Sequence, residues 1–488
     1  MNIFPSPCKI EKGQGAFSFE NEVVLSVSDS VKNPDAPRLF CELWNQFTAG
    51  IGTLKIQRVK TAKNTAYLTK NGDCRFQDKQ TDFNYEIHAE EQGILILYQE
   101  EHGLIHAFST LLQMIQFESI EGECGRFCIP CCGIYDRPAV QFRGIHLCVF
   151  PETTRDFLKK AVRLAGLAKY SHIIIEFWGT LKFDALPELA WESAYTKAEI
   201  KPIIDDAHGF GMEVIPMFNH LGHATQSRVK YGRHVVLDQN PKLQLLFEPD
   251  GWTWCLSNPS ALKLLRSIRR ELVELCGPGR YFHLGCDEAY SFATCPLCSR
   301  KNSNELLLNY LNGLAEELKE QGRIPIIWGD ALLDHDAWDS PYIATSRSDQ
   351  RTHVILDKLD KSIIINDWQY NIYGGECKTF EHFKEKGFRV LVSPWLKIDN
   401  MKALTGTAIN KGLHGVLLTT WHALHEHIDS ILYSASIMWE GKSDVSGRST
   451  RQLDMSRTFT AAYQRKLCPV NGDYKKAGWR GRELDDGI

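Results

Sequence analysis

Residues 281–289 read YFHLGCDEA, and the interpretation of this stretch decides the fold. YFHLG is a short apolar run of the kind that forms a buried strand. It breaks into two adjacent acids, Asp287 and Glu288, and then into the loop-like SFATCPLC. In parallel α/β folds ligands gather at the carboxyl ends of the strands, so a strand that ends in two acids points to a parallel sheet with its site at that end. Neighbouring residues on a strand face opposite sides, so Asp287 and Glu288 are expected on a bend. A solvated loop start or a helix N-cap is the alternative reading of such a pair.

Working outward, the chain from about Val140 onward alternates strand with helix. Eight strand candidates are present: QFRGIHLCV, HIIIEFW, EVIPMFN, YFHLGCD, IPIIWGD, SIIINDWQ, RVLVSPWL and GVLLTTWH. Most are separated by segments of helical periodicity, such as RDFLKKAVRLAGLAKY and NELLLNYLNGLAEELKEQG. Eight βα units in about 300 residues predict an α/β chain whose residues 138–440 form a (β/α)8 TIM barrel. A doubly wound open sheet is the alternative, but no glycine-rich phosphate fingerprint follows any strand. Residues 1–137 show a different pattern. Strand-like EVVLSVS, NYEIHAE and GILILYQE precede the helical HGLIHAFSTLLQMIQF, which predicts a small α+β N-terminal domain. Residues 441–488 read as a carboxyl-terminal extension to which the sequence assigns no role.

Composition narrows the function. The 488 residues carry a formal net charge of −4 and 43% hydrophobic side chains, with no basic block to serve a nucleic-acid partner. No apolar run approaches membrane-spanning length, and MNIFPSPCKIEKGQG lacks the apolar core of a secretory signal. A cytoplasmic chain with no membrane partner is therefore expected; a secreted chain whose signal lies outside this sequence is the alternative. Fifteen cysteines are a modest density at this length, and Cys148 and Cys286 fall inside apparent strands, so reduced buried thiols are expected. A homo-oligomer is left open.

The candidate strands finish in polar and aromatic residues: Glu176, Phe177 and Trp178; Asn219 and His220; Asp287 and Glu288; Trp328 and Asp330; Asp367, Trp368 and Tyr370; Trp395; Trp421 and His422. Aromatic walls with a few carboxylates suit a sugar, whose ring offers C–H faces for stacking and hydroxyls for hydrogen bonds. Arg143, inside the first strand, offers a bidentate donor for sugar hydroxyls or a partner for a neighbouring carboxylate.

HLGCDE resembles the H-x-G-x-D-E signature of family 20 glycoside hydrolases, the β-N-acetylhexosaminidases. FPSPCKIEKGQGAFSF and HGLIHAFSTLLQMI are similar to the start and last helix of that family's amino-terminal domain. DRPAVQFRGIHLCV resembles its entry into strand one, and AYTKAEIKPIIDDAHGFGMEVIPMFNHLGHA its strand three with the Gly222-His223 pair. The resemblance covers roughly residues 3 to 440. Cys286, where many members have a second glycine, makes the chain similar to the more distant hexosaminidase D branch.

The resemblance implies hydrolysis of terminal β-linked GlcNAc or GalNAc, exo-acting and with retention, in which the substrate's own acetamido oxygen attacks the anomeric carbon. Glu288 is then the acid and later the base, which calls for a raised pKa. Asp287 stays ionised and steadies the acetamido N–H. The family's Arg that grips the outer hydroxyls corresponds to Arg143. Trp328, Trp368 and Trp421 wall the pocket, with Asp330 and Trp395 beside them. The family's tyrosine after strand seven is missing from SPWLKID; Tyr370 is the candidate replacement with Tyr373 behind it, and a rim position is the other reading of either. His223 helps tune the acid, with Glu176 standing where relatives place an Asp, or else is a core histidine. Many members carry Pro-Glu-Ile-Asp at strand three, where this chain has Pro216-Met217-Phe218-Asn219.

Other chemistries compete with this reading. His220-x-x-His223 and Cys295-x-x-Cys298 are incomplete as metal sites, so no metal and no cofactor is expected, and chelation is expected to leave activity intact. Another substrate-assisted N-acetyl glycosidase and a non-catalytic amino-sugar-binding protein are the remaining alternatives. The intact acid pair argues against the latter. Nothing in the sequence separates GlcNAc from GalNAc.

Overall fold

The computed structural model describes residues 3–29, 31–60, 64–72, 80–118, 125–225, 234–421, 424–441 and 463. The carboxyl-terminal extension beyond residue 441 therefore lies almost entirely outside the described residues. None of the helices among the described residues is long and apolar enough to cross a membrane.

The amino-terminal part is one mixed sheet. Its strands are β1 (Lys9–Phe19), β2 (Val23–Ser28), β3 (Leu54–Val59), β4 (Thr65–Thr69), β5 (Tyr85–Glu90), β6 (Gly93–Tyr98), β7 (Gln116–Glu118) and β8 (Arg126–Asp136). They lie in the order β1-β8-β5-β6-β4-β2-β3, with β7 added to β8. The tight turn expected within NYEIHAEEQGILILYQ is present, since Glu90 pairs with Gly93 across Glu91-Gln92. Two helices, α1 (Ala36–Phe47) and α2 (Glu101–Met114), pack on this sheet and against the barrel's first two helices.

The second sheet holds eight parallel strands: β9 (Phe142–Cys148), β10 (His172–Glu176), β11 (Glu213–Ile215), β12 (Tyr281–His283), β13 (Ile324–Trp328), β14 (Ile364–Asp367), β15 (Arg389–Val392) and β16 (Gly415–Leu418). Their order, β11-β10-β9-β16-β15-β14-β13-β12, is a nearly closed (β/α)8 barrel. The gap between β11 and β12 is bridged just past the strands, where Met217 pairs with His283 and the Phe218 N–H donates to the His283 carbonyl at 3.2 Å. The outer ring begins with α3 (Arg155–Leu167) and α4 (Lys197–Gly209). The short α5 (Val235–Gln239) lies in the long connection before the next ring helix, α6 (Pro259–Cys276), which is followed by α7 (Ser303–Glu320), α8 (Lys378–Glu385), α9 (Ile398–Lys411) and α10 (Ile428–Glu440). Between β13 and β14 a 3-10 helix, Thr352–Lys358, replaces the α-helix.

Local chemistry explains where the helices begin. Thr196 and Glu199 form a reciprocal capping box at α4, and the Asn302 side chain accepts from the Glu305 N–H at α7. Phe142, Ile174, Ile215, Tyr281, Ile326, Ile364, Leu391 and Leu417 fill the barrel interior, and Trp328 lies over them with Trp368 and Trp421 packed around it. That apolar plug forms the floor of the site.

Candidate active site

The strand carrying the acids is short for a physical reason. β12 ends at His283, and the backbone then takes positive φ at Gly285 (67°), Cys286 (78°) and Glu288 (49°). An extended chain would send Asp287 and Glu288 to opposite faces; this crumpled segment turns both into the barrel mouth. Left-handed conformations at non-glycine residues cost about 1–3 kcal/mol each and persist where the surroundings enforce them. Here the surroundings are packed. A Cβ on Gly285 would lie 2.0 Å from Asn219 Oδ1, and one on Gly222 would lie 2.0 Å from the Asp287 carbonyl oxygen. The Glu288 N–H donates to Asp330 Oδ2 at 3.0 Å, which fixes the turn.

The two acids have different surroundings. Glu288 Oε2 is 3.0 Å from His223 Nε2, and its Oε1 accepts from the Tyr290 hydroxyl at 2.8 Å. Asp287 is 7% exposed, lies 3.5 Å from His223 Nε2 through Oδ2, and has no partner among the described residues for its buried Oδ1. Burial pushes the Asp287 carboxyl up to about 8; the nearby charges of Asp330, Glu288 and Glu176 add to this and His223 opposes it. Burial acts in the same direction on Glu288, but the hydrogen bond and charge of His223, with the Tyr290 hydroxyl, reverse it and hold Glu288 below the usual range. In the substrate-free site, therefore, Asp287 rather than Glu288 holds the raised pKa, the opposite of the sequence expectation. The cause is that burial dominates at Asp287, where His223 stands off at 3.5 Å, while His223 and Tyr290 approach Glu288 to 3.0 and 2.8 Å.

Asp330 organises the wall. Its Oδ1 accepts from Trp368 Nε1 (3.0 Å) and its Oδ2 from the Thr345 hydroxyl (2.7 Å), besides the Glu288 N–H. Burial raises its pKa and these three donors counter the shift. The Tyr370 hydroxyl oxygen accepts from Trp421 Nε1 at 2.6 Å and lies 3.1 Å from Thr419 Oγ1. Because the Thr419 hydroxyl already donates to the Pro394 carbonyl, the Tyr370 hydroxyl donates to Thr419 Oγ1. The rings of Trp368, Tyr370 and Trp395 follow one another at 5.2 Å centroid spacings, and Trp421 lies 5.7 Å from Trp328. Tyr373 is 54% exposed, a rim residue.

Two expectations about supporting residues need correction. Arg143 is at the amino end of β9, away from the acids, and buried. Its Nε donates to the Lys169 carbonyl and its Nη1 to those of Val140 and Gln141, while the guanidinium lies over Trp439 at 4.9 Å. It cannot grip a substrate at the other end of the barrel. Glu176 does not pair with His223 but with His146 Nε2 (2.8 Å) and the Asn219 amide (2.8 Å), and His223 reaches the acids directly. His220 of His220-x-x-His223 is fully buried and held by Arg269 and the Phe218 carbonyl.

Two participants were not singled out from sequence. Tyr290, two residues past Glu288, holds the acid. Trp252, from GWTWC, donates from Nε1 to the Glu288 carbonyl at 2.7 Å and packs its ring 4.3 Å from that of His223. The sequence signal for Tyr290 was its adjacency to the acid. For Trp252 it was only a second cluster of Trp outside the strand ends.

A parallel barrel whose carboxyl rim holds adjacent acids within a cage of Trp and Tyr has the architecture of a barrel glycosidase. Residues 173–423 match Glycosyl hydrolase family 20, catalytic domain, and residues 1–137 match domain 2 of the same family; the chain belongs to glycosyl hydrolase family 20. It is 22% identical over 366 residues to a Beta-hexosaminidase of Porphyromonas gingivalis, covering 68% of this chain and 46% of that protein. It is 23% identical over 278 residues to Hexosaminidase D of Bos taurus, covering 54% of this chain and 71% of the bovine one. The chain thus spans less than half the length of the Porphyromonas protein. Its fold matches that of a solved GH20 exo β-N-acetylglucosaminidase from Vibrio harveyi with a TM-score of 0.69 at 16% identity, over 96% of this chain and 78% of that one.

Proposed function

We propose that this chain hydrolyses terminal β-linked N-acetylhexosaminides with retention, using the substrate's acetamido oxygen as the nucleophile. The observation that carries the reading is the asymmetry of the acid pair. Glu288 is held by His223 and Tyr290, whereas Asp287 is buried with an oxygen that, among the described residues, lacks a donor. An acetamido N–H is such a donor. Binding it would favour the ionised form of Asp287, and the new negative charge beside Glu288 would raise that residue's pKa toward what a general acid requires. Substrate binding thus transfers the high pKa from Asp287 to Glu288. Glu288 then protonates the leaving oxygen, while Asp287 stabilises the positive oxazolinium ring that forms. Tyr370 turns its proton from Thr419 to the acetamido oxygen, and Trp328, Trp368, Trp395 and Trp421 form apolar walls for the sugar and its acetamido methyl. The exo mode rests on the family resemblance alone.

The test is release of p-nitrophenol from the aryl β-N-acetylglucosaminide and its galacto epimer. Glu288→Gln should lower kcat by about 10²–10⁴-fold for a sugar leaving group, and by less, but measurably, for p-nitrophenol, which leaves without full protonation. Unchanged turnover in this variant, or equal activity on a glucoside without the acetamido group, would sink the proposal.

A further inference from the structure

Beyond the acid pair, the described residues gather a second set of metal-ligating side chains. Cys255 lies in the loop before α6; Cys295 and Cys298 lie in the loop that continues from Glu288. The Sγ of Cys255 is 3.4 Å from that of Cys295 and 3.6 Å from that of Cys298. Glu248 joins them, and one atom from each of the four residues falls within 4.8 Å of all the others. None of the four is more than 5% exposed. Glu248 Oε2 accepts from the N–H groups of Thr294 (2.9 Å) and Cys295 (2.5 Å) and from the Thr294 hydroxyl (3.2 Å); among the described residues its buried Oε1 has no partner of good hydrogen-bond geometry, and the Cys298 thiol stands against the carboxylate.

Packing of neutral thiols does not explain this arrangement. A buried carboxylate oxygen without a strong donor costs on the order of 1–3 kcal/mol or more, and a thiol such as Cys298 is only a weak donor to it. A disulfide requires about 2.05 Å between sulfurs, well inside the separations seen. A zinc ion with Zn–S distances of about 2.3 Å spaces tetrahedral sulfurs roughly 3.8 Å apart, close to the observed geometry. Thiolates also need N–H donors, and the Cys298 N–H donates to Cys295 Sγ at 3.3 Å while the Ser257 hydroxyl lies 3.2 Å from Cys298 Sγ.

We propose that Cys255, Cys295, Cys298 and Glu248 form a structural zinc site that joins the loop bearing Trp252 to the loop that follows Glu288. The site lies outside the substrate pocket and provides no open position for chemistry. Its effect on the acid is indirect. Trp252 holds the Glu288 carbonyl and the His223 ring, and the metal fixes both ends of that contact.

The experiment is metal analysis by mass spectrometry of the whole protein, purified under reductant without chelator. About one zinc per chain is expected. The Cys295→Ser/Cys298→Ser double variant should lose it, and Glu248→Gln should release it faster to a chromophoric chelator. If the cysteine variants do not fold, cobalt substitution of the wild-type protein keeps the test open, with a sulfur-to-metal charge-transfer band expected. Stripping the ion should lower the thermal midpoint of the wild-type protein. Wild-type protein with no bound metal, another metal in place of zinc, or a Cys255–Cys295 disulfide in the purified chain would each overturn the proposal.

Discussion

At the residue scale, the chemistry rests on how unevenly donors are shared between two neighbouring carboxyls. Asp287, pushed up to about 8, is neutral in the fold at pH values where it would ionise in the unfolded chain, at about 3.9. Folding therefore works against its ionisation. Native stability should fall as pH rises between about 4 and 8 by this group's contribution, and the penalty should be absent below both values. Asp287→Asn removes the penalty. Its unfolding free energy should exceed that of the wild type at pH 7 by on the order of a few kcal/mol, and the two should converge near pH 4. Denaturant unfolding at the two pH values measures this, and a variant less stable at pH 7 would contradict the assigned protonation. Under the proposed mechanism the same substitution should abolish most turnover, since Asn cannot stabilise a cationic intermediate.

At the element scale, the site depends on how closely the segment after β11 meets the segment after β12. Gly222 lies against the Asp287 carbonyl and the Glu288 backbone with no room for a methyl group. Gly222→Ala must push the acid-bearing turn away, and a shift of about 1 Å at a reacting centre costs roughly 100-fold in rate. The expected result is a drop of that order in kcat/KM with the barrel still folded, checked by circular dichroism beside the aryl glycoside assay. Retention of full activity would mean that the turn is softer than its packing indicates. The eight strands themselves were legible as short β-branched runs, and every candidate strand contains a strand of the barrel. Their lengths were not. YFHLGCD contributes only Tyr281–His283 because the glycine and the left-handed residues after it serve the site rather than the sheet.

At the scale of the whole molecule, the two sheets are joined through buried charge. Arg163 Nε donates to Asp206 Oδ2 at 2.6 Å and its Nη2 to Glu42 Oε1 at 2.7 Å, linking α3, α4 and α1. Lys169 meets Asp136 at 2.9 Å, and the same aspartate accepts from Tyr85 and Trp439, so the last strand of the first sheet, β5 and α10 converge on one carboxylate. Arg143 belongs to this layer. Arg143→Ala strips donors from three carbonyls and should cost on the order of 3–5 kcal/mol of stability, while KM in the folded enzyme stays unchanged. Urea unfolding and steady-state kinetics separate the two effects; a raised KM without loss of stability would return Arg143 to the substrate site.

The sequence by itself determined the barrel, the small domain before it and the position of the acids, because hydrophobic periodicity and the change from apolar strand to polar loop are local properties. It also contained the evidence against Arg143 as a sugar ligand. The residue lies five positions before the end of β9, roughly 16 Å at ~3.3 Å per residue, and a strand's direction fixes which end faces the substrate. Only the tertiary structure decided which acid receives the donors of His223 and Tyr290, that Trp252 supports Glu288, and that Cys255 and Glu248 stand beside Cys295 and Cys298. Those relations join residues 36 or more positions apart, or depend on backbone turns in the left-handed region, where no pattern of neighbouring side chains indicates the direction of approach.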